Sequence, residues 1–352
     1  MNVSPKSVVA SLFLLFTAPA FASSPASSHS PNLKSGSAAP GESESARYAR
    51  RCQNHAPTRG SSEQGTLLWG TRQAWRSRQG SETQRSVLVS VDIQASFHPD
   101  GKTQSVRLEN GRLVAEHDTT RSLLGTVFQG TSSDGKPVEV ALCGAEPAPD
   151  DPELVWYRIE AWNPVAQEWE NPCAATGNLP DPRALAVSGF WDSRGAHHAT
   201  PGKFTLACED GAITKCIRWG YKPWASRDGQ SLADLHQACT RMARADYCGN
   251  GRSHTRQGTT IDMYDAFGML SPTTEASAAW NPAHASFEAA WAPDGATCMA
   301  RTRQGEALEK ILQECPGRFS TSAAASLGGG DDCAVQRVKE SDRTALLRNR
   351  SY

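Results

Sequence analysis

The chain has 352 residues, of which 38% are hydrophobic and 21% are charged, and its formal net charge is −1. This length and composition exclude a mini-protein and a disordered chain, because enough apolar surface is available to bury a core. Its Lys and Arg residues nowhere form the basic block of about five to eight that phosphate binding favours, so we expect no nucleic-acid partner.

The first 22 residues have the pattern of an export signal. Lys6 supplies a positive charge, an apolar run extends from Val8 to Phe16, and Ala20-Phe21-Ala22 places small residues around a cleavage site. The apolar run is too short for a membrane-spanning helix. We therefore predict a signal peptide over 1–22, cleavage near Ala22, and a soluble periplasmic or secreted protein with no transmembrane segment after cleavage.

Residues 23–62 are rich in Ser, Pro and Ala and are predicted to be a flexible linker. The next region, 63–202, is predicted to be antiparallel β structure. Four of its segments show alternating apolar residues or a turn between two apolar runs, and they are Ser86–Phe97, Ser105–Glu116 around Asn110-Gly111, Thr126–Cys143 and Val155–Trp162.

Residues 203–316 form a cysteine-rich region in which helical spacing appears. The predicted elements are a strand at Lys203–Cys208, an extended aromatic segment at Cys216–Trp224, and helices at Ser231–Cys248 and Gln304–Cys315. Residues 317–352 are predicted to be a flexible tail. The expected fold class is α+β, with a predominantly antiparallel β N-terminal half followed by a disulfide-rich α+β half.

The ten cysteines all follow the predicted signal peptide: Cys52, Cys143, Cys173, Cys208, Cys216, Cys239, Cys248, Cys298, Cys315 and Cys333. An even number of cysteines in an exported protein indicates disulfides. The sequence contains no Cys-x-x-Cys pair, so nothing in the cysteine spacing indicates a zinc site or thiol redox chemistry. We predict five bridges, or four with two free thiols. The connectivity stays open, with Cys208–Cys216 across a turn and Cys52–Cys333 between the ends as two possibilities.

The helix at Ser231–Cys248 carries polar residues on its apolar face. His236, Cys239 and Asp246 could suggest a metal site, but ten residues of helix separate His236 from Asp246 by about 15 Å. We therefore expect neither a metal nor a cofactor here. Instead, His236 and Asp246 should be buried and hydrogen-bonded to the backbone or to arginine.

Beyond that helix, a hairpin is predicted over Ser253–Tyr264, with His254 on its first arm and Asp262 and Asp265 on and directly after its second arm. A histidine oriented by a carboxylate is a general base, so these three residues are the catalytic candidates. Their spacing does not require the two carboxylates to converge, because alternation along a strand places them on opposite faces. No nucleophile-elbow, zinc-protease or phosphate-loop motif accompanies them.

The chain resembles the ADYC-domain family of exported bacterial proteins, named for Ala245-Asp246-Tyr247-Cys248. The other matching segments are His236–Met242, His254-Thr255-Arg256, Gly258-Thr259, Ile261-Asp262, Cys216–Trp224, Phe287–Trp291, Pro293-Asp294-Gly295 and Cys298. The resemblance implies a cell-envelope or secreted setting. It implies no established activity and therefore no catalytic residues.

The leading functional hypothesis is a non-catalytic, disulfide-stabilised module that binds a wall polymer, a glycan or an envelope protein. Four tryptophans are candidate stacking surfaces: Trp162, Trp169, Trp219 and Trp224. The alternative is a secreted hydrolase that uses His254 with Asp262 or Asp265.

Overall fold

A computed structural model describes residues 43–53, 67–71, 87–99, 105–115, 123–176, 178–256, 258–321, 325–339 and 344–352. The predicted signal peptide and residues 23–42 and 54–62 of the predicted linker lie outside these residues. Within the described ranges, no helix is long and apolar enough to cross a membrane.

The described residues of the N-terminal half form one short helix and eleven strands. They are α1 (Glu44–Ala49), β1 (Leu88–Phe97), β2 (Val106–Glu109), β3 (Arg112–Ala115), β4 (Val127–Ser132), β5 (Pro137–Pro147), β6 (Val155–Asn163), β7 (Glu168–Glu170), β8 (Ala184–Ser188), β9 (Phe190–Trp191), β10 (His197–His198) and β11 (Lys203–Cys208). Strands β2 and β3 form one hairpin, and β9 and β10 form another.

The large sheet of this half has the strand order β5-β4-β1-β11-β8-β6-β7, and β5 also pairs with β6. Six of its strands therefore close into a ring, and every pairing is antiparallel. Val91, Tyr157 and Leu206 belong to the core of this ring, where the rings of Phe128 and Phe204 meet edge to face at 5.6 Å. Packed apolar side chains thus hold the sheet closed.

The hairpin of β2 and β3 shows why the sequence signal was strong. Asn110 and Gly111 have φ angles of 48° and 79°, the left-handed conformations of a two-residue turn that matches strand twist. A Cβ atom on Gly111 would lie 2.7 Å from the ring of Trp224. Glycine is therefore required twice at this position, once for the turn and once for the close packing.

In the C-terminal half, the residues that the structure describes form three helices and a second sheet. Its elements are α2 (Ala212–Arg218), β12 (Ser226–Arg227), β13 (Gln230–Ser231), α3 (Ala233–Arg244), β14 (Asp262–Asp265), β15 (Ser286–Ala292), β16 (Gly295–Met299), α4 (Leu308–Glu314), β17 (Phe319–Ser320), β18 (Ala325–Ser326), β19 (Asp332–Cys333), β20 (Val335–Arg337) and β21 (Leu347–Ser351). The sheet has the order β14-β21-β15-β16-β20-β17.

One hydrophobic core joins the two halves. Trp156 and Leu185 from the first sheet lie in the same cluster as Leu235 and Met242 from α3 and Trp291 from the second sheet. Residues 43–352 accordingly form one compact unit. An α+β fold rich in strands, as predicted, is confirmed, with the helices concentrated after residue 211.

Two predicted boundaries differ from the structure. The predicted linker over 23–62 includes α1, whose Tyr48 is buried against the first sheet. The predicted boundary at 202/203 separates β11 from its own sheet, although β11 pairs with β1 and β8. Both differences have the same cause, because cross-strand contacts and not local composition decide which segments belong together.

The prediction of a flexible tail over 317–352 is wrong for the described residues of that range. Strand β21 lies between β14 and β15 within the second sheet. Its residues alternate between buried and half-buried, with Leu347 and Asn349 fully buried. The polar composition of this segment concealed a strand whose partners are distant in sequence.

Two local predictions in the cysteine-rich region are also wrong. Most of the segment Cys216–Trp224 is not extended, since Cys216 and Ile217 belong to α2 and face the core. The hairpin over Ser253–Tyr264 does not form, because β14 pairs with β21 instead. Each segment buries its apolar side chains against distant parts of the chain, and the local alternation of apolar and polar residues does not indicate those contacts.

Five disulfides are present, and no cysteine is free: Cys52–Cys143, Cys173–Cys208, Cys216–Cys239, Cys248–Cys315 and Cys298–Cys333. The prediction of five bridges is confirmed. Neither of the two suggested pairings occurs, because β11 carries Cys208 to Cys173 and α2 faces Cys216 toward α3. Cys333 reaches the second sheet and not the N-terminal helix.

Peptide mapping of the unreduced protein tests this connectivity. We expect five linked peptide pairs with the pairings above and no free thiol, since each pair of Cα atoms is 5.0 to 5.8 Å apart and within bonding range. A linkage of Cys208 to Cys216, or of Cys52 to Cys333, would contradict the fold.

Candidate functional site

Ala245 and Asp246, the first two residues of the Ala245–Cys248 tetrad, terminate α3. Ala245 adopts a left-handed conformation with φ of 50°, and its N–H donates to the last turn of the helix. The carboxylate of Asp246 is fully buried and accepts bonds from the Arg241 guanidinium at 2.6 Å and from the N–H groups of Asn250 and Gly251. It therefore fixes both the helix end and the following loop.

Tyr247 and Cys248 join this helix end to distant parts of the chain. The Tyr247 hydroxyl donates to Glu288 at 3.0 Å and accepts from the backbone N–H of Arg303 at 2.7 Å. Burial, followed by the nearby Glu288 carboxylate, raises the pKa of Tyr247 well above its usual value. Cys248 forms the disulfide to Cys315. All four residues of the tetrad thus have structural partners.

His236 and Asp246 are buried and hydrogen-bonded, as predicted. His236 bonds through Nε2 to the carbonyl oxygen of Ile213 at 3.0 Å, and burial lowers its pKa to about 4. Gln237 and Arg241 of the same helix are also buried, because Gln237 accepts from the indole N–H of Trp191 and Arg241 donates to the carbonyl of Pro293. Helix α3 itself is shorter than the predicted helix at both ends.

The structure does not bring the three catalytic candidates together. His254 places Nδ1 2.9 Å from Glu306 and Nε2 3.2 Å from Glu314. Both ring nitrogens of the histidine therefore lie beside glutamate carboxylates and not beside Asp262 or Asp265. Of the described hydrogen bonds, none connects His254 to Asp262 or Asp265.

Asp262 and Asp265 organise loops next to β14. Asp262 accepts from the backbone N–H and the hydroxyl of Thr273. Asp265 accepts from the Tyr221 hydroxyl at 3.0 Å and from three backbone N–H groups, those of Phe267, Met269 and Leu270. Both carboxylates are thus committed to local structure.

The four candidate stacking tryptophans divide into two pairs. Trp162 and Trp169 are buried in a small core beside α1, so they cannot contact a ligand. Trp219 and Trp224 are half-buried. Of these two, Trp224 lines a groove.

The groove lies between the β2–β3 hairpin, the loop after β5 and the segment after α2. Its volume is about 590 Å³, and it is partly open to solvent. Its walls are formed by Glu109, Asn110, Arg112, Val114, Glu153, Lys222, Trp224 and Ala225. The sequence indicated Trp224 only as one candidate among four, and nothing in the local pattern linked it to the hairpin.

Ion pairs hold two of the charged side chains that line the groove. The ammonium of Lys222 lies 2.8 Å from Asp151 and 2.6 Å from Glu153. Burial alone would lower the pKa of Lys222, but the bonds to these carboxylates outweigh it and raise that pKa. Arg112 donates from Nε to the carbonyl of Glu153 at 3.0 Å and from its terminal nitrogen to the carbonyl of Pro152.

The described residues offer one cluster with the spacing of metal ligands, formed by Cys52, Cys143 and Glu160. Its two sulfur atoms are joined in a disulfide, and a thiolate is the form of cysteine that binds metal. This cluster is therefore not suited to a metal ion.

The buried His236 makes stability depend on pH. Its folded pKa of about 4 lies below its ordinary value of 6.5, so the unfolded chain binds the proton more tightly. Its contribution is fully present above pH 6.5 and is lost as the pH falls toward 4, by up to about 3 kcal/mol. The parent protein should therefore lose unfolding free energy between pH 6.5 and pH 4. In His236→Gln this loss should be smaller by up to about 3 kcal/mol, as measured by urea unfolding at both pH values.

The control for this experiment is His284→Gln, which changes an exposed histidine. It should keep the pH dependence of the parent protein. An unchanged pH dependence in His236→Gln would contradict a buried, neutral His236.

Comparison with known families gives one match. The model of the ADYC domain matches residues 120–305, more than half of the chain. Comparisons with curated proteins and with solved structures returned no significant match. The tetrad Ala245–Cys248, its partner Glu288 and the backbone of Arg303 all lie within the matched range. The chain therefore belongs to the ADYC domain family.

Proposed function

We propose that this protein is an exported, non-catalytic binding module of the bacterial cell envelope or extracellular space. The predicted signal peptide supports export. The pairing of all ten cysteines also supports it, because disulfides persist in oxidising compartments outside the cytoplasm. The absence of a catalytic role is supported by the tetrad, whose residues are engaged in holding the fold.

The ligand site in this proposal is the groove beside Trp224, and the ligand is a glycan polymer. The single observation that supports it is the Trp224 ring, which is half-buried at the groove wall and held against Gly111. A fixed aromatic ring with polar groups around it binds sugars by stacking on their apolar faces while the hydroxyls form hydrogen bonds. A groove open to solvent leaves room for the rest of a polymer.

The alternative of a secreted hydrolase needs His254 to work with Asp262 or Asp265. Each of these side chains has other partners, and both ring nitrogens of the histidine face carboxylates. No described feature favours this alternative over the binding module.

The test is the affinity of the full exported chain for oligomers of chitin and of cellulose and for purified peptidoglycan. We expect Trp224→Ala to weaken binding about tenfold or more, which corresponds to about 1.4 kcal/mol, because the stacking surface is lost. Calorimetry measures the affinity for the soluble oligomers, and co-sedimentation measures it for peptidoglycan.

The matched control is Trp219→Ala, since Trp219 is also half-buried but does not line the groove. It should bind as the parent protein does. Equal affinities for Trp224→Ala and the parent, with the melting temperature of each variant recorded, would contradict the proposed site. Failure of all these glycans to bind would contradict the proposed ligand.

A further inference from the structure

We infer that the part of the ligand held in the groove is uncharged, so that the site selects neutral sugar units over acidic or basic ones. This inference rests on the proposed function, because it names the class of glycan that the same site accepts. The observations behind it are the ion pairs that hold Glu109, Glu153 and Lys222 and the two backbone carbonyls that hold Arg112.

The charges at the groove sum to zero. Four of them line it, namely Glu109, Arg112, Glu153 and Lys222, and the first and last are paired with Arg107 and Asp151 just outside. These six groups supply three positive and three negative charges. A charged ligand therefore meets no net field of the opposite sign that would repay its loss of hydration.

Lys222 is not free to bind an anion. Its ammonium is held by two carboxylates, and only 15% of its side chain is exposed. The carboxylate of an acidic sugar placed beside this ammonium would also lie beside Asp151 and Glu153, and both would repel it. The short bonds that fix Lys222 thus work against acidic ligands.

The carboxylates are similarly engaged, which works against a basic ligand. Glu109 accepts from Arg107 at 2.5 Å, and Glu153 accepts from Lys222. An ammonium placed beside either one would also lie near a cation that is already there. Competition from these cations offsets most of the attraction between exposed charges, which is weak in water.

Neutral hydroxyl groups fit this arrangement better than charged groups do. Each carboxylate keeps an oxygen outside its ion pair, and 55% of the Glu109 side chain and 77% of the Glu153 side chain are exposed. Arg112 has more N–H groups than its two carbonyl partners use. A sugar hydroxyl both donates and accepts, so it can bond to either kind of group without displacing an ion pair.

Two matched pairs of oligomers test this inference on the full exported chain. The first pair is a chitin oligomer and its fully deacetylated, cationic form. The second pair is a cellulose oligomer and the same oligomer oxidised to the uronic acid. We expect the neutral member of each pair to bind about tenfold more tightly. Its affinity should change less than about twofold when NaCl is raised from about 0.05 to about 0.5 M, because no charges on the ligand are screened.

Arg107→Gln supplies the variant, since Arg107 is exposed and does not line the groove, and its loss leaves one uncompensated negative charge at Glu109. We expect the deacetylated, cationic chitin oligomer to gain about threefold in affinity and the neutral chitin oligomer to stay within twofold. The matched control is Arg256→Gln, an exposed arginine outside the groove, which should change neither affinity.

The outcomes separate this inference from the function on which it rests. Tighter binding of either charged oligomer, lost in Trp224→Ala, would overturn neutral selection and leave a glycan site in the groove. An affinity for the neutral oligomer that falls steeply with salt would also overturn it. If no oligomer binds, or if Trp224→Ala has no effect on binding, both the site and its selectivity are wrong.

Discussion

A buried ion pair between Glu288 and Arg303 is the interaction on which the C-terminal half depends. Both side chains are almost fully buried, and two bonds of 3.0 Å join them. Burying two charges costs several kcal/mol for each unless every polar atom finds a partner. Here Tyr247 and Asn349 donate further hydrogen bonds to the Glu288 carboxylate, and the carbonyls at the end of α3 accept from the Arg303 guanidinium. The pair therefore ties helix, loop and sheet into one arrangement.

This interaction gives the family signature a physical meaning. The tetrad Ala245–Cys248 ends α3, and its buried carboxylate, phenol and disulfide bind that helix end to the loop, the ion pair and α4. The groove is separate from the signature. Glu109 and Arg112 precede the matched region, which begins at residue 120, whereas Glu153 and Trp224 lie within it. Family membership thus describes the scaffold more completely than it describes the binding surface.

Local sequence patterns predicted the elements whose stabilising contacts lie close together in the sequence. Asn110-Gly111 specified a hairpin, and the spacing of apolar residues specified the strands around it and the cores of α3 and α4. They failed where partners are distant. His254 pairs with glutamates 52 and 60 residues away, and β21 pairs with strands that precede it by more than 50 residues. Nor can spacing reveal which cysteines the fold brings together, because each pairing depends on the packed structure.

The most direct test of this account is the free energy of unfolding of Glu288→Gln, measured by urea denaturation beside Glu275→Gln. Glutamine keeps the shape of Glu288 but leaves Arg303 buried without its counter-charge, so we predict a loss of about 3–5 kcal/mol. The exposed control should change stability by less than about 0.5 kcal/mol. A Glu288→Gln variant as stable as the control would contradict the central role of the buried ion pair.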